Sequence, residues 1–369
     1  MAAGRLRLVH GLLVVVVAGC GVSGASPSER RTEAEPSSGP TSPEAVATAP
    51  VSSPGGSMPA LPKGWLAFDR YDAAFGAEGP FLGGTIMHPD GTDERPLAIP
   101  IPTETMSPAW SRDGSRIVVN TWSAPGPGRP AVMLADGSEF VPLLPGGIDG
   151  DLGCTDWSED GQTLLCSITG NDPKLDGIYT LRVEGLELRR LTTSPFHFVH
   201  GSAGDCGGGE GRARYSPDWS HIAFIRQRCG SGANPSANES AAIELMASDG
   251  TGIRELVEQG KVMSHPGSHI SWSPDGTSIA FGSQDGGLFL VDVDSGKLTA
   301  IPLPDEIGSH HAAGPEWSPD GTRIVFSMFV QAEGSTDLYV ISANGSDLAQ
   351  ITNAPGAEHW ARWGPVSTP

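Results

Sequence analysis

From about residue 64 onward, short apolar runs recur, such as Ile117-Val118-Val119, Ile279-Ala280-Phe281 and Leu338-Tyr339-Val340-Ile341, each bounded by Gly, Pro, Asp or Ser. Runs of this length, rich in β-branched and aromatic residues and closed by turn formers, predict strands and not helices. Before residue 64 the pattern is different. Leu12 to Ala18 is one apolar run, and Gly21 to Pro62 has almost no large apolar side chain.

The strand region repeats itself. An aromatic residue, a tight polar turn and a β-type run appear as Trp110-Ser111-Arg112-Asp113-Gly114, Trp157-Ser158-Glu159-Asp160-Gly161, Tyr215-Ser216-Pro217-Asp218-Trp219, Trp272-Ser273-Pro274-Asp275-Gly276 and Trp317-Ser318-Pro319-Asp320-Gly321. Trp363-Gly364-Pro365 begins a sixth copy, and the anchors are 47, 58, 57, 45 and 46 residues apart. Periods of that size belong to propellers or solenoids. Pro followed by Asp-Gly supplies a preset φ, a side-chain acceptor and a residue tolerant of positive φ, so each copy contains a hairpin. A second turn follows in His88-Pro89-Asp90-Gly91, Ala135-Asp136-Gly137, Ser248-Asp249-Gly250, Asp294-Ser295-Gly296 and Ala343-Asn344-Gly345. Four antiparallel strands per unit result, the plan of a propeller blade.

The word WSPDG followed by Ile-Ala-Phe, an apolar third run, a second turn and a Leu191-Thr192 or Ile351-Thr352 ending resembles the TolB-like, WD-type propeller repeat. The resemblance covers about residues 64 to 366. Tyr215 for Trp, Trp219 for Gly, and the missing Pro in the first two copies depart from it. Five full copies leave Trp363 as the start of a sixth, while Trp65 to Ile99 supplies three strands lacking a first. The expected fold is therefore all-β: a six-bladed propeller of four-stranded antiparallel blades, closed by the C-terminal strand pairing with the N-terminal blade. Trp110, Trp157, Tyr215, Trp272, Trp317 and Trp363 are expected to be structural anchors packed between blades.

Composition agrees and adds limits. Gly and Pro make up about 22% of the 369 residues, which disfavours long helices. A net charge of −20 argues against nucleic acid as a partner and against a polybasic membrane-binding surface.

Arg5 and Arg7 ahead of the apolar run have the form of an export signal, too short to span a bilayer as a helix. The run ends Val17-Ala18-Gly19-Cys20, which resembles the bacterial lipobox, so residues 1–19 are expected to be a lipoprotein signal peptide and Cys20 the acylated residue. Loss of residues 1–19 would leave a charge of −22. Diacylation would attach the protein to the membrane without spanning it. Residues 20–63 read as the lipidated Cys and a disordered Ser/Pro-rich tether, with an r.m.s. span of roughly 35 Å. Residues 64–369 are the propeller.

Four cysteines remain, an even number suited to an oxidising compartment. Hairpin register about Asp160-Gly161 places Cys154 opposite Cys166, and register about Asp218-Trp219 brings Cys206 near Cys229, so two disulfides are expected.

Candidate chemistry rests on histidine. His197 and His200, His265 and His269, His310 and His311, and His359 all precede inner strands of successive units. Side chains there can converge on the channel mouth, and with Glu316, Glu358 or Asp156 they would suit a divalent cation. Oligogalacturonate lyases, relatives with a TolB-like propeller, hold a metal with channel histidines, so the resemblance implies a precedent. Asp292-Val293-Asp294-Ser295-Gly296 lacks the later bidentate acid of a calcium loop. Gly207-Gly208-Gly209-Glu210-Gly211 reads as a loop. No nucleophile elbow, HExxH helix or phosphate loop is present.

The reading favoured by these features is a non-catalytic binding platform without a cofactor, lipid-anchored on the outer side of the bacterial cell membrane and presenting one rim to an envelope protein or glycan. The alternative is a metal-dependent polysaccharide lyase or hydrolase that uses the channel-mouth histidines.

Overall fold

A computed structural model describes residues 64–72, 81–97, 104–122, 126–170, 172–199, 206–230, 239–264, 269–303, 311–330 and 335–364, all within a compact unit spanning Ser57–Pro369. Cys20 and the tether lie outside the described residues. Every regular element among the described residues is a β-strand.

Four units stand as separate four-stranded antiparallel sheets. Blade 2 is Glu104–Trp110, Arg116–Trp122, Arg129–Leu134 and Val141–Pro142. Blade 3 is Asp151–Trp157, Thr163–Thr169, Gly177–Arg182 and Leu188–Arg190. Blade 4 is Gly209–Tyr215, His221–Arg228, Ser240–Ala247 and Arg254–Val262. Blade 5 is Ile270–Trp272, Ser278–Gly282, Leu288–Asp292 and Leu298–Ile301. An eight-stranded sheet holds two further units, joined by one parallel pairing of Thr336 with Ala357. Blade 6 is His311–Trp317, Arg323–Val330, Ser335–Ser342 and Ala349–Gln350. Blade 1 is Gly356–Trp363 followed by Leu66–Asp72, Phe81–Met87 and Arg95–Pro96. The C-terminal strand thus completes the N-terminal blade, with register running from Leu66 opposite Trp363 to Asp72 opposite Gly356. The inner strands touch in cyclic order, ending with Gly356–Trp363 against Glu104–Trp110, so the ring is closed.

Each repeat turn is built in the same way. The Ser hydroxyl donates to the Asp two residues on, at 2.6–2.7 Å in all five copies. It also accepts the N–H five residues on, at 2.9–3.0 Å. The Asp carboxylate accepts the N–H two residues beyond itself. These donors hold the Asp carboxyls below their usual range, that of Asp218 at about 2. Gly114, Gly161, Gly276 and Gly321 take φ of 62–74°, and Trp219, which replaces Gly, takes 55°. The Trp219 substitution therefore preserves the turn. Its ring lies 4.3 Å from the Arg112 guanidinium of the blade 2 turn.

The anchors interlock the blades. Trp157, Trp272 and Trp363 donate their indole N–H to the carbonyls of Ala109, Arg214 and Glu316, in each case the residue before the anchor of the preceding blade. Nine residues beyond each of the first five anchors lies a buried second-strand residue, Val119, Cys166, Phe224, Phe281 or Phe326, and the corresponding residue of blade 1 is Phe68, two beyond the Leu66 that faces Trp363. Cys166 pairs in register with Cys154 and forms a disulfide with it, and Cys206 is bonded to Cys229. The glycine run is not a loop throughout. Gly209–Gly211 begins the inner strand of blade 4, and a side chain at Gly208 would press within 2.5 Å of the His197 carbonyl and 2.9 Å of Cys229 Sγ. The run is Gly-rich because the backbone there is tightly packed.

Candidate binding site in the central channel

Each inner strand runs toward its anchor and the Ser–Asp turn, and most carry a bulge just before the anchor. Register slips between Met106 and Ala109, Cys154 and Asp156, Gly211 and Arg214, and Ala313 and Glu316. At the bulge, Ser107, Arg212, Gly314 and Trp360 take φ of 56–60°. A bulge re-aims the side chains beside it. Here it brings together residues one and three positions before the anchors of different blades.

Glu316 of blade 6 is the hub. Its carboxylate accepts from Arg214 Nη2 of blade 4 at 2.8 Å and from Arg362 Nη1 of blade 1 at 2.7 Å. Arg362 Nη2 donates to His269 Nδ1 of blade 5 at 2.9 Å. A guanidinium is only a donor, so Nδ1 must be the accepting nitrogen and the ring proton sits on Nε2, which donates to Ser107 Oγ of blade 2 at 3.4 Å. Blades 2 and 5 face each other across a six-membered ring, so this chain of contacts spans the channel. The Ser107 N–H donates to Asp69 Oδ2 at 2.8 Å. On the other side Arg214 Nε lies 3.6 Å from Asp156 Oδ2, which accepts the Tyr215 N–H at 2.9 Å.

Burial sets the electrostatics of this septum. His269 is pushed well below the usual imidazole range by burial and by Arg212 and Arg214, so it is neutral at physiological pH. Burial pushes the Glu316 carboxyl up to about 7 although Arg214 opposes it. Burial also raises Asp69 and Asp156, and lowers Arg212 to about 10. Ser107, His269, Glu316 and Arg362 are all buried, whereas Arg212 and Trp360 keep partial exposure.

A second polar device repeats farther out. The Thr192 hydroxyl accepts the Ile178 N–H at 2.8 Å and donates to Glu210 of the next blade, which binds Arg226 Nε at 2.9 Å. Thr352 accepts the Leu338 N–H at 2.8 Å and donates to Glu358 at 3.3 Å, and Glu358 binds Arg70 Nε at 3.1 Å. The Leu-Thr ending of the repeat is therefore a latch between blades 3 and 4 and between blades 6 and 1. Burial raises Glu358 to about 7.

Of the histidines singled out from sequence, His269 reaches the centre of the channel, with both ring nitrogens engaged. His359 lies beside Tyr71 and Trp360, with ring centroids 5.7 and 5.6 Å away. His197 Nδ1 lies 3.0 Å from the buried carboxylate of Asp176. His311 is described only as backbone, and His200, His265 and His310 lie outside the described residues. Glu316, Glu358 and Asp156, named as carboxylates for a cation, have arginines as counter-ions. Among the described residues no three His, Cys, Asp or Glu side chains are grouped to hold a metal ion. Asp292 Oδ1 accepts the Ser295 N–H at 2.8 Å, which makes the Asp292–Gly296 stretch a strand turn. Sequence reasoning missed Arg214 and Arg362. The available signal was the charged residue immediately before the anchor in four units: Asp156, Arg214, Glu316 and Arg362.

No protein-family model and no curated protein matches the sequence. Solved structures do. TolB from Acinetobacter baumannii superposes with a TM-score of 0.59 at 19% identity, covering 82% of this chain and 67% of that one. A TolB assigned in Agrobacterium tumefaciens gives 0.52 at 17% identity, covering 83% and 100%. A chain of the nidogen/laminin complex gives 0.59 at 9% identity, covering 83% and 100%. Identities this low speak to architecture alone, and together with the closed ring of four-stranded blades they establish that this chain has the fold of a TolB-like β-propeller.

Proposed function

We propose that the protein is a lipoprotein of the bacterial envelope whose propeller is a non-catalytic platform for a protein or glycan partner. Cys20 carries the lipid, residues 21–63 hold the ring away from the membrane surface, and the closed ring supplies a rigid frame for the loops that meet the partner. The observation that supports a platform over an enzyme is the state of the channel: Glu316, Arg214, Arg362 and Asp156 are tied to one another across blades, with the His269 imidazole neutral and engaged at both nitrogens. Two disulfides accord with an extracytoplasmic site.

Two measurements test this reading. The full chain, produced in a bacterium fed labelled palmitate, is expected to take up label that Cys20→Ser abolishes; uptake unaffected by the substitution would refute the anchor. Affinity capture from envelope extract with the full chain should retain a discrete partner. Stoichiometric divalent metal together with turnover of a polysaccharide would replace the platform by an enzyme.

A further inference from the structure

The two longest repeats meet at one covalent link. The anchor spacings of 58 and 57 residues, against 45 to 47 elsewhere, belong to the stretches that hold Cys206 and Cys229, and these two cysteines are bonded to each other. Cys206 lies in a two-stranded ladder, Phe198–Val199 against Cys206–Gly207, which is separate from the six blades. Cys229 follows directly on the second strand of blade 4, His221–Arg228. The link therefore fastens an addition to the ring, in the connection between blades 3 and 4.

The two disulfides differ in their surroundings. Cys154 and Cys166 are both fully buried within the apolar cluster shared by blades 2 and 3, so a thiolate reaches neither sulfur while that core is packed. Cys206 is buried too, but Cys229 keeps partial exposure, and neither belongs to an apolar cluster of the described residues. Thiol–disulfide exchange depends on access to a sulfur, which makes Cys229 Sγ the point of attack. The ladder itself has little else to hold it. It consists of two residue pairs, Phe198 with Gly207 and Val199 with Cys206, and a two-stranded ladder of that length is not stable alone. At its base His197 Nδ1 lies 3.0 Å from Asp176 Oδ2, and the Phe196 ring lies 5.6 Å from the Arg228 guanidinium. His197, Phe196 and Arg228 all keep some exposure, so neither contact has the shelter of a core.

We propose that Cys206–Cys229 is a thiol-sensitive clasp, whose reduction releases the ladder between blades 3 and 4 and leaves the ring and Cys154–Cys166 intact. The co-reactant is a dithiol. One of its thiolates attacks Cys229 Sγ, the Cys206–Cys229 bond breaks, and the electron pair leaves on Cys206 Sγ, which takes up a proton. The second thiol attacks the reductant's own sulfur in the mixed disulfide, which frees Cys229 as a thiol and closes a disulfide in the reductant. Two electrons and two protons pass to the protein, and a disulfide oxidant reverses the exchange. The device belongs to the fold and stands independently of the platform reading.

The test treats the folded full chain with dithiothreitol at pH 8, then maps iodoacetamide labelling of each cysteine and measures amide hydrogen exchange. Cys206 and Cys229 should be labelled at least tenfold faster than Cys154 and Cys166. Exchange at Val199 and Gly207 should rise at least tenfold, with exchange in the blade 6 strand Arg323–Val330 unchanged. Cys206→Ser with Cys229→Ser should exchange at Val199 and Gly207 as fast as the reduced wild type, with or without dithiothreitol. Should that variant fail to fold, the wild-type measurements decide. Equal labelling of all four cysteines, labelling of Cys206 and Cys229 only once the ring has unfolded, or unchanged exchange in the ladder after cleavage would each overturn the proposal.

Discussion

Arg362→Met is the sharpest probe of how the ring is held shut. The strand bearing Arg362 closes the ring by pairing with Leu66–Asp72, and its guanidinium reaches two other blades, at Glu316 and His269. Met keeps most of the aliphatic volume, so the loss is chiefly electrostatic. Removing one partner of a buried ion pair typically costs about 3–5 kcal/mol, because the remaining charge stays desolvated. The lost bond to neutral His269 adds about 1 kcal/mol. Glu316 keeps Arg214 at 2.8 Å, which softens the loss, so about 4 kcal/mol is expected, close to a thousandfold in the unfolding equilibrium. The assay is urea unfolding at pH 8, where Glu316 is ionised, within a double-mutant cycle with Glu316→Gln. The pair should couple by about 2 kcal/mol, whereas the exposed Arg254→Met should change stability by less than about 0.5 kcal/mol. A cost below about 1 kcal/mol for Arg362→Met, or coupling indistinguishable from zero, would refute the septum as a stabilising element.

Other expectations follow from the same geometry. Cys154→Ser with Cys166→Ser opens a link across 12 residues and should cost about 3 kcal/mol or less by chemical denaturation. Gly276→Ala places a Cβ 3.7 Å from Pro217 Cδ, which is ordinary contact, so its cost of about 1–2 kcal/mol should be purely conformational, and Gly276→Asn should recover part of it. Glu316 and Glu358 titrate near 4.5 when unfolded and near 7 when folded, so the stability they contribute is full below pH 4.5 and is lost as pH rises through 7. Each carboxyl accounts for about 3 kcal/mol at most, and Glu358→Gln should flatten part of that slope in melts across pH 4–8. Asp218 acts in the opposite direction: its contribution is present above pH 3.8 and disappears as pH falls through about 2.

The architecture was legible because the repeat writes its own hydrogen bonds. Ser, Asp and Gly at fixed offsets are the residues that satisfy each turn, so five copies of the word predict five copies of one geometry, and Trp219 shows that geometry surviving without Gly. Ring closure was legible because three N-terminal strands lacked a first and Trp363 began a unit without a remainder. The Cys154–Cys166 link followed from register counted outward from a turn. The turns and the disulfide are local relations, confined to a few tens of residues, and closure joins two incomplete copies of the same repeat.

The channel is not local. Ser107 and His269 are 162 positions apart, Arg362 and His269 are 93, and Arg214 and Glu316 are 102. Equivalent positions there carry different residue types in each blade, so periodicity, the signal that exposes the blades, averages the channel away. Among the described histidine side chains, His269 joins this network, while His197 pairs with Asp176 and His359 packs beside Tyr71 and Trp360. The bulge decides which side chain turns inward, and it selects the positions one and three before the anchor. Reading the position one before the anchor around the ring gives Asp156, Arg214, Glu316 and Arg362, an alternation of charge that no single blade contains and that the last strand extends through Arg362 to His269. The residues that complete the fold are therefore also those that join blades 1, 5 and 6 across the channel.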